Sequence, residues 1–487
     1  MNDAEKLYSA LDEAYQPTPS VPAAAAAAHE EAVPIALEEP YPEAPESTGT
    51  GPADPGQLTL VGAMQLRAQF EANPEAVLAM ARRAFDETLT VEQLRIHLDQ
   101  TVAALEAPAA AAAMINAARA FGATAARLPP DFGFDGYDPA TIRVNFETTQ
   151  FESQADWLAW VIHSGPTWVR EGVAPKRYPF RSHATHASKF HYPIAGDSTI
   201  ALFSDFGTHL YHSRYIAKHI ASLRPPVAIH LGDVYYAGKR GELEQRFAND
   251  LRSVLANTEL FNLAGNHEMY SAGIPFIDYI DQRRGPTQRQ EGGYFSLVNN
   301  SCQILGIDTQ YYGGGRYRNN ELLGWLRTRL AEGRQSGLTN IVVSSDHPYS
   351  YGKTSTADLF FDVASLVADI DLWFWGNTHH CALFSPGPAI PFIGSCVGHG
   401  GYPYGTEQSG GATPPGVQVR FLETRSRFHK WPSIRPDRGN NGFCMLTMSA
   451  TALELSYIDW MKNLRCTAIL IRGNDGRLTI GSVTEHP

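Results

Sequence analysis

The chain has 487 residues and a formal net charge of −12, from 51 acidic and 39 basic side chains. Residues 1–66 contain 11 acidic side chains and one basic one, whereas the other 421 residues contain 40 and 38. This nearly neutral body excludes a protein that binds nucleic acid through bulk positive charge. A polyanionic substrate must therefore be attracted locally, by a few side chains or by bound cations.

The composition also bounds the class of protein. Hydrophobic residues make up 43% of the chain, which is enough for a sizeable core. No apolar run approaches the ~18 residues of a membrane span, and no basic start followed by an apolar stretch marks a secretory signal. The five cysteines are scattered without CxxC spacing, which is typical of free thiols. A cytoplasmic location is expected, with export by a non-classical route left open.

The chain order predicts four segments. Residues 1–56 are acidic and rich in Pro and Ala, so we expect a disordered tail. Residues 57–130 place apolar side chains three and four apart, which predicts a small helical module with Thr90 capping one helix. Residues 131–195 form a mixed connecting segment, and residues 196–487 form the main domain.

From Ser198 onwards, short apolar runs alternate with amphipathic helices. This alternation predicts buried strands in an α/β sheet. After residue 385 the pattern becomes mainly β, and we expect this run to supply a second, largely antiparallel sheet. The predicted fold class is α/β, a two-sheet α/β/β/α sandwich with helices outside.

Polar residues of metal-ligand type follow five of the predicted strands. Because the carboxyl ends of strands in an α/β sheet face one crevice, we expect these side chains to converge there. Each alone has an ordinary explanation, such as a turn residue, a buried histidine or, for both Tyr235 and Tyr236, core packing. The ordered set favours a pair of divalent or trivalent ions. Its members are Asp205, Asp233, Tyr236, Asn266, His267, His347, Asn377 and His379.

The same series resembles the calcineurin-like metallophosphoesterases and is most similar to the purple acid phosphatases among them. Gly207 and Tyr236 occupy the positions that favour this branch. The resemblance covers roughly residues 196–460 and implies that residues 196–487 form a metallophosphoesterase domain. The motifs occur in family order as Asp205-Phe-Gly207, Gly232-Asp233-Val-Tyr-Tyr236, Gly265-Asn266-His267-Glu268, His347-Pro and Gly376-Asn-Thr-His379.

The resemblance implies a role for each matching residue. The first ion, iron(III) in purple acid phosphatases, would be bound by Asp205, Tyr236 and His379, and Asp233 would bridge both ions. Asn266 and His347 would bind the second ion, which is commonly zinc, manganese or iron(II). His267 would lie beside the leaving-group oxygen as a catalytic residue, or only bond phosphate.

One position departs from the family pattern, because Asn377 stands where a histidine binds the second ion. An amide oxygen binds zinc-like ions more weakly than imidazole, which favours an oxygen-preferring ion such as manganese or magnesium. His380 is not taken as a substitute, since it points elsewhere if the loop is extended. His209 and His399 are candidate substrate-binding residues, with helix-start and loop positions as the alternative.

The predicted function is that of a dinuclear metal-dependent, acid phosphatase-like hydrolase that cleaves phosphomonoesters by attack of metal-bound hydroxide on phosphorus. A phosphodiesterase or nucleotide hydrolase with the same site is the first alternative. A metal-poor binding or scaffold protein, with a site decayed at Asn377, is the second. The expected partner is a phosphorylated small molecule, and the helical module has no assigned partner.

Overall fold

The computed structural model describes residues 55–84, 89–106, 125–127, 143–145 and 178–487, except 209, 236, 313, 430–435 and 476. The chain divides into two compact units, Met1–Val173 and Ala174–Pro487. The predicted tail lies outside the described residues apart from its last two. Among the helices of these ranges, none combines the length and the apolar character needed to cross a membrane.

The described part of the first unit is mainly helical, as the apolar spacing predicts. Its elements are α1 (Pro55–Ala72), α2 (Pro74–Ala84), α3 (Val91–Glu106) and the antiparallel strands β1 (Ala125–Arg127) and β2 (Arg143–Asn145). Thr90 begins α3 as predicted. Its hydroxyl accepts from the backbone N–H of Gln93 (3.2 Å), and the Gln93 side chain accepts from the N–H of Thr90 (2.9 Å). These reciprocal bonds form a capping box that satisfies the first turn of the helix.

Two mixed sheets build the second unit. The first has the strand order β13-β11-β12-β10-β9-β8-β7-β3. In chain order its strands are β3 (His191–Pro193), β7 (Phe295–Val298), β8 (Cys302–Ile307), β9 (Thr339–Ser344), β10 (Leu372–Trp375), β11 (Cys381–Phe384), β12 (Ile393–Val397) and β13 (Val419–Leu422).

The second sheet has the strand order β17-β16-β15-β14-β4-β5-β6. Its strands are β4 (Thr199–Phe203), β5 (Val227–His230), β6 (Glu259–Asn262), β14 (Gly442–Met448), β15 (Ala452–Asp459), β16 (Leu464–Arg472) and β17 (Leu478–Glu485). The helices of the unit are α4 (Tyr211–Leu223), α5 (Arg252–Leu255), α6 (Asn266–Met269), α7 (Ile274–Arg283), α8 (Asn320–Gln335) and α9 (Asp358–Asp362), with a π-helix at Glu242–Ala248 and 3-10 turns at His183–Thr185 and Val367–Asp369.

The predicted two-sheet α/β architecture is confirmed, and one buried core draws side chains from both sheets. The partition of the strands differs from the expectation, because the C-terminal β run does not form a sheet of its own. Strands β11 to β13 join the first sheet, whereas β14 pairs with β4, for example at Leu446 and Ile200. Apolar runs identify strands but not their partners, since every buried strand offers the same backbone groups.

The direction of the strands positions the candidate site. Strands β4, β5 and β6 are parallel to one another, and so are β9, β10 and β12. Their carboxyl ends carry the loops that contain the predicted ligands. Ligand sites of open α/β sheets lie at this end of the strands.

Candidate metal centre

The loops that follow the strands of both sheets are bonded to each other. The N–H of Gly400 donates to the carbonyl of Ser204 (3.0 Å), and the N–H of Tyr402 donates to the carbonyl of Asp205 (2.9 Å). The N–H of Asn377 donates to Oδ2 of Asp205 (3.0 Å). The loop after β4 thus meets the loops after β10 and β12. These bonds bring Asp205 of one sheet beside Asn377 of the other.

Three of the predicted ligands share an unusual backbone conformation. Asp205, Asp233 and Asn377 have φ angles of 56°, 68° and 60°. This left-handed region costs free energy for a residue with a Cβ, and such strain is concentrated at functional sites. All three residues follow a strand directly, so the strain turns each side chain sharply at the strand end.

Asp205, Tyr235 and His379 form a bonded triad. The hydroxyl of Tyr235 lies 3.1 Å from Oδ1 of Asp205 and 2.8 Å from Nε2 of His379. That nitrogen lies 3.1 Å from the same Asp205 oxygen. Burial, together with the nearby charges of Asp205 and Asp233, raises the pKa of the Tyr235 hydroxyl well above its ordinary value. Without a cation this phenol is therefore neutral and donates its proton to Asp205.

Asp233 is buried among other carboxyl groups. Burial, followed by the charges of Asp205 and Glu268 and then of Asp346, raises its pKa well above the ordinary value. Its Oδ1 accepts from the backbone N–H of His267 (3.2 Å), while its enclosed Oδ2 has no hydrogen-bond partner. Gly265 allows this packing, because a Cβ there would lie 1.9 Å from Oδ1 of Asp233.

Glu268 holds the Asp233 turn in shape, a role that the sequence did not indicate beyond its place in the motif. Its carboxylate accepts from the N–H groups of Asp233 (3.0 Å), Val234 (2.7 Å) and Gly265 (2.6 Å). Burial is the main reason that the pKa of Glu268 rises to about 7. One side chain thus fixes the loop after β5 against the loop after β6.

The predicted ligands of the second ion contact different neighbours. The Asn266 amide donates to the Tyr270 hydroxyl (3.0 Å). The Asn377 amide lies 3.3 Å from Oδ1 of Asp346, and because a carboxylate only accepts, the amide nitrogen points at Asp346. The enclosed Nδ1 of His347 has no hydrogen-bond partner, and burial lowers the pKa of this imidazole to about 4. His347 is therefore neutral and presents a lone pair.

The loop from Gly376 to His380 is not extended. The N–H of Thr378 donates to the carbonyl of Gly376 and the N–H of His380 to that of Thr378, each at 2.6 Å, so the loop folds back twice. The reason for setting His380 aside is therefore removed. Its side chain is buried, its Nε2 has no hydrogen-bond partner, and burial, with the nearby His347, lowers its pKa to about 3.

The other predicted site residues have varied positions. His267 is buried, with its ring centre 4.2 Å from that of Tyr235 and 5.1 Å from that of Tyr270. His399 is also buried; its carbonyl accepts from the Asn441 amide (2.9 Å), and burial lowers its pKa to about 4. Tyr236 and His209 lie outside the described residues.

These features fit bound cations. The partnerless Oδ2 of Asp233 lies among carboxyl groups, and such a buried charge is stabilised by pairing or by a metal. The neutral His347 supplies a second donor type. Among the residues that the structure describes, His, Cys, Asp and Glu alone do not form a metal-binding group of three or more. A metal site here therefore needs oxygen donors from Asn or Tyr as well.

Comparison with known families agrees with this chemistry. Residues 198–381 match the sequence model of the calcineurin-like phosphoesterases. The resemblance predicted from the motifs is confirmed. Members of this family are phosphoester hydrolases and typically depend on two metal ions, and the matched segment contains all of the predicted ligands. No curated protein matches the chain.

Solved structures similar to the chain include other phosphatases. A purple acid phosphatase from yellow lupin (Lupinus luteus) is 16% identical with a TM-score of 0.45, over 58% of this chain and 56% of the lupin chain. A dimetal phosphatase from Danio rerio is 10% identical with a TM-score of 0.36, over 56% of this chain and 98% of its own. The match thus spans little more than half of the lupin enzyme.

Proposed function

We propose that the protein is a dinuclear metal-dependent phosphomonoesterase. The proposal assigns Asp205 and His379 to the first ion, Asn266 and His347 to the second, and Asp233 to both. The buried Asp233, with one oxygen unpartnered among neighbouring carboxyl groups, carries the proposal. A carboxylate in that position is destabilised unless cations offset its charge.

Two bound cations would neutralise the phosphate charge, orient the ester and lower the pKa of water so that hydroxide is available near neutral pH. Iron(III) at the first ion, with zinc, manganese or iron(II) at the second, is the combination that the sequence resemblance implies. The protein supplies the spacing of the ligands. Glu268 and the left-handed turns at Asp205 and Asp233 fix that spacing before substrate arrives.

His267 is the proposed general acid for the leaving group. Its backbone N–H is bonded to Asp233, and its ring packs on Tyr235, so the imidazole is held beside the proposed ligands. Protonation of the leaving oxygen by a positioned side chain typically contributes ~10²–10⁴-fold to the rate. His267→Gln should therefore reduce hydrolysis of alkyl phosphates more than that of p-nitrophenyl phosphate, whose leaving group needs little help.

Parallel assays test the reaction class. The purified protein is loaded with iron, zinc or manganese and offered p-nitrophenyl phosphate, bis-p-nitrophenyl phosphate and cyclic nucleotides. Preferred hydrolysis of the monoester supports the proposal. Preferred hydrolysis of a diester or a cyclic nucleotide replaces it with the phosphodiesterase alternative.

Metal analysis separates an enzyme from a binding or scaffold protein. We expect two equivalents of metal per chain after loading. Less than one tightly bound equivalent, with no hydrolysis after addition of iron, zinc or manganese, would refute the enzyme and favour a site decayed at Asn377. Asp197→Asn is a suitable control variant, because this carboxylate is exposed.

A further inference from the structure

A phenol oxygen lies among the proposed ligands of the first ion. The Tyr235 oxygen is 3.1 Å from Oδ1 of Asp205 and 2.8 Å from Nε2 of His379, and these two atoms are 3.1 Å apart. The three atoms therefore form a nearly equilateral triangle of one phenol oxygen, one carboxylate oxygen and one imidazole nitrogen. All three are donor types that borderline and hard cations accept.

The size of the triangle indicates what it can hold. An octahedral cation with ligand distances of about 2.0–2.1 Å keeps neighbouring ligands roughly 3 Å apart. Tetrahedral zinc with similar distances would separate them by about 3.3 Å. The observed edges of 2.8 to 3.1 Å match one face of an octahedron.

Packing fixes the Tyr235 side chain in this position. Tyr235 is 1% exposed. Its ring centre lies 4.2 Å from that of His267 and 4.6 Å from that of Tyr402, which also packs on His379 at 4.4 Å. The phenol cannot turn away without displacing these rings, so its oxygen is preorganised beside Asp205.

We infer that Tyr235 is the tyrosine ligand of the first ion, a role that rests on the proposed dinuclear site. The spacing of the family motif assigns this role to Tyr236, whereas the measured distances assign it to the preceding residue. The inference also accounts for the need for a donor other than His, Cys, Asp and Glu. A bound cation favours the ionised form of its ligand, so the phenol would bind as tyrosinate.

Visible absorption of iron-loaded protein tests the inference, because tyrosinate bound to iron(III) gives a charge-transfer band. Metal-free wild type, Tyr235→Phe, Tyr236→Phe and Tyr402→Phe are each titrated with iron(III). We expect the band in wild type and in the last two variants, and its loss in Tyr235→Phe. Loss in Tyr236→Phe with retention in Tyr235→Phe would overturn the inference, and so would a wild type that binds iron without the band.

A second variant covers the case in which Tyr235→Phe folds poorly. Tyr235→His offers another metal donor at the same position, so iron should stay bound while the band disappears. In Tyr235→Phe we expect iron affinity to fall at least ~10-fold, since even outer partners of metal ligands cost that much. Unchanged affinity together with an unchanged band would refute the role.

The same preparations separate this inference from the proposed function. If wild type binds zinc or manganese and hydrolyses p-nitrophenyl phosphate, yet Tyr235→Phe keeps the iron band, only the role of Tyr235 fails. If wild type binds none of the three metals, the proposed function fails together with it.

Discussion

The two halves of the candidate site differ in how the protein holds them. In the first half, Asp205, Tyr235 and His379 are bonded directly to one another at 2.8 to 3.1 Å. In the second half, the Asn266 amide bonds Tyr270 and the Asn377 amide faces Asp346, so the proposed ligands are not joined. The first half is preorganised for an ion, whereas the second must rearrange its side chains to bind one. We therefore expect the first ion to bind more tightly than the second.

Asp233 belongs to both halves, so Asp233→Asn should have the largest effect. We expect kcat/KM for p-nitrophenyl phosphate to fall by ~10³-fold or more, because several kcal/mol of charge stabilisation depend on the bound ions. The metal-free variant should instead be more stable by ~1–2 kcal/mol, since a neutral amide relieves a buried carboxyl group whose pKa is raised. Urea unfolding in a chelator measures this gain, with Asp197→Asn as the control. A variant that retains activity would contradict the shared role of Asp233.

Histidine substitutions test the asymmetry of the two halves directly. His379→Ala removes one corner of the bonded triad, so we expect bound metal to fall from two equivalents to one or fewer. His347→Ala should remove only the second ion and leave the first in place. Elemental analysis after dialysis gives both counts, and His186→Ala, outside the site, is the control. Equal losses in the two variants would mean that the halves do not differ.

Glu268→Gln should have a smaller effect on both halves. The carboxylate accepts three backbone N–H groups through two oxygens, whereas an amide offers one oxygen and would face an N–H with its own NH₂. A buried hydrogen bond lost in this way costs ~1–3 kcal/mol. Thermal unfolding should show this loss, and metal affinity should fall in parallel. Glu244→Gln, at an exposed position, should change neither quantity.

The sequence predicted the places of the ligands better than their contacts. Each strand that precedes Asp205, Asp233 or His347 is a short apolar run with a polar end, and this local pattern is sufficient to locate a strand end. Tyr235 and Tyr236 are adjacent, so only the backbone turn at Asp233 decides which phenol meets Asp205. No periodicity in the sequence encodes that turn.

Two other features depended on contacts between distant segments. His380 was set aside on the assumption of an extended loop, and two successive short-range backbone bonds fold that loop instead. Strands β11 to β13 and β14 to β17 have similar apolar patterns but belong to different sheets. Their assignment requires knowledge of strand pairing, because a buried strand shows the same sequence pattern in either sheet.

The smallest expected effect is a gain at the second half. Asn377→His restores the family's imidazole, so the Kd of the second ion should fall by up to ~10-fold. Two costs limit this gain. A left-handed backbone at 377 favours Asn over His, by an amount on the order of 1 kcal/mol, and the bond to Asp346 is lost.

Isothermal titration with zinc and with manganese measures this gain. Zinc should benefit more than manganese, because imidazole suits zinc better than an amide oxygen does. Asn377→Gly is the control, since it keeps the backbone conformation and removes the side chain. Equal affinities in wild type, Asn377→His and Asn377→Gly would mean that residue 377 is outside the ligand shell. The imidazole of His380, buried near His347, would then be the next donor to substitute.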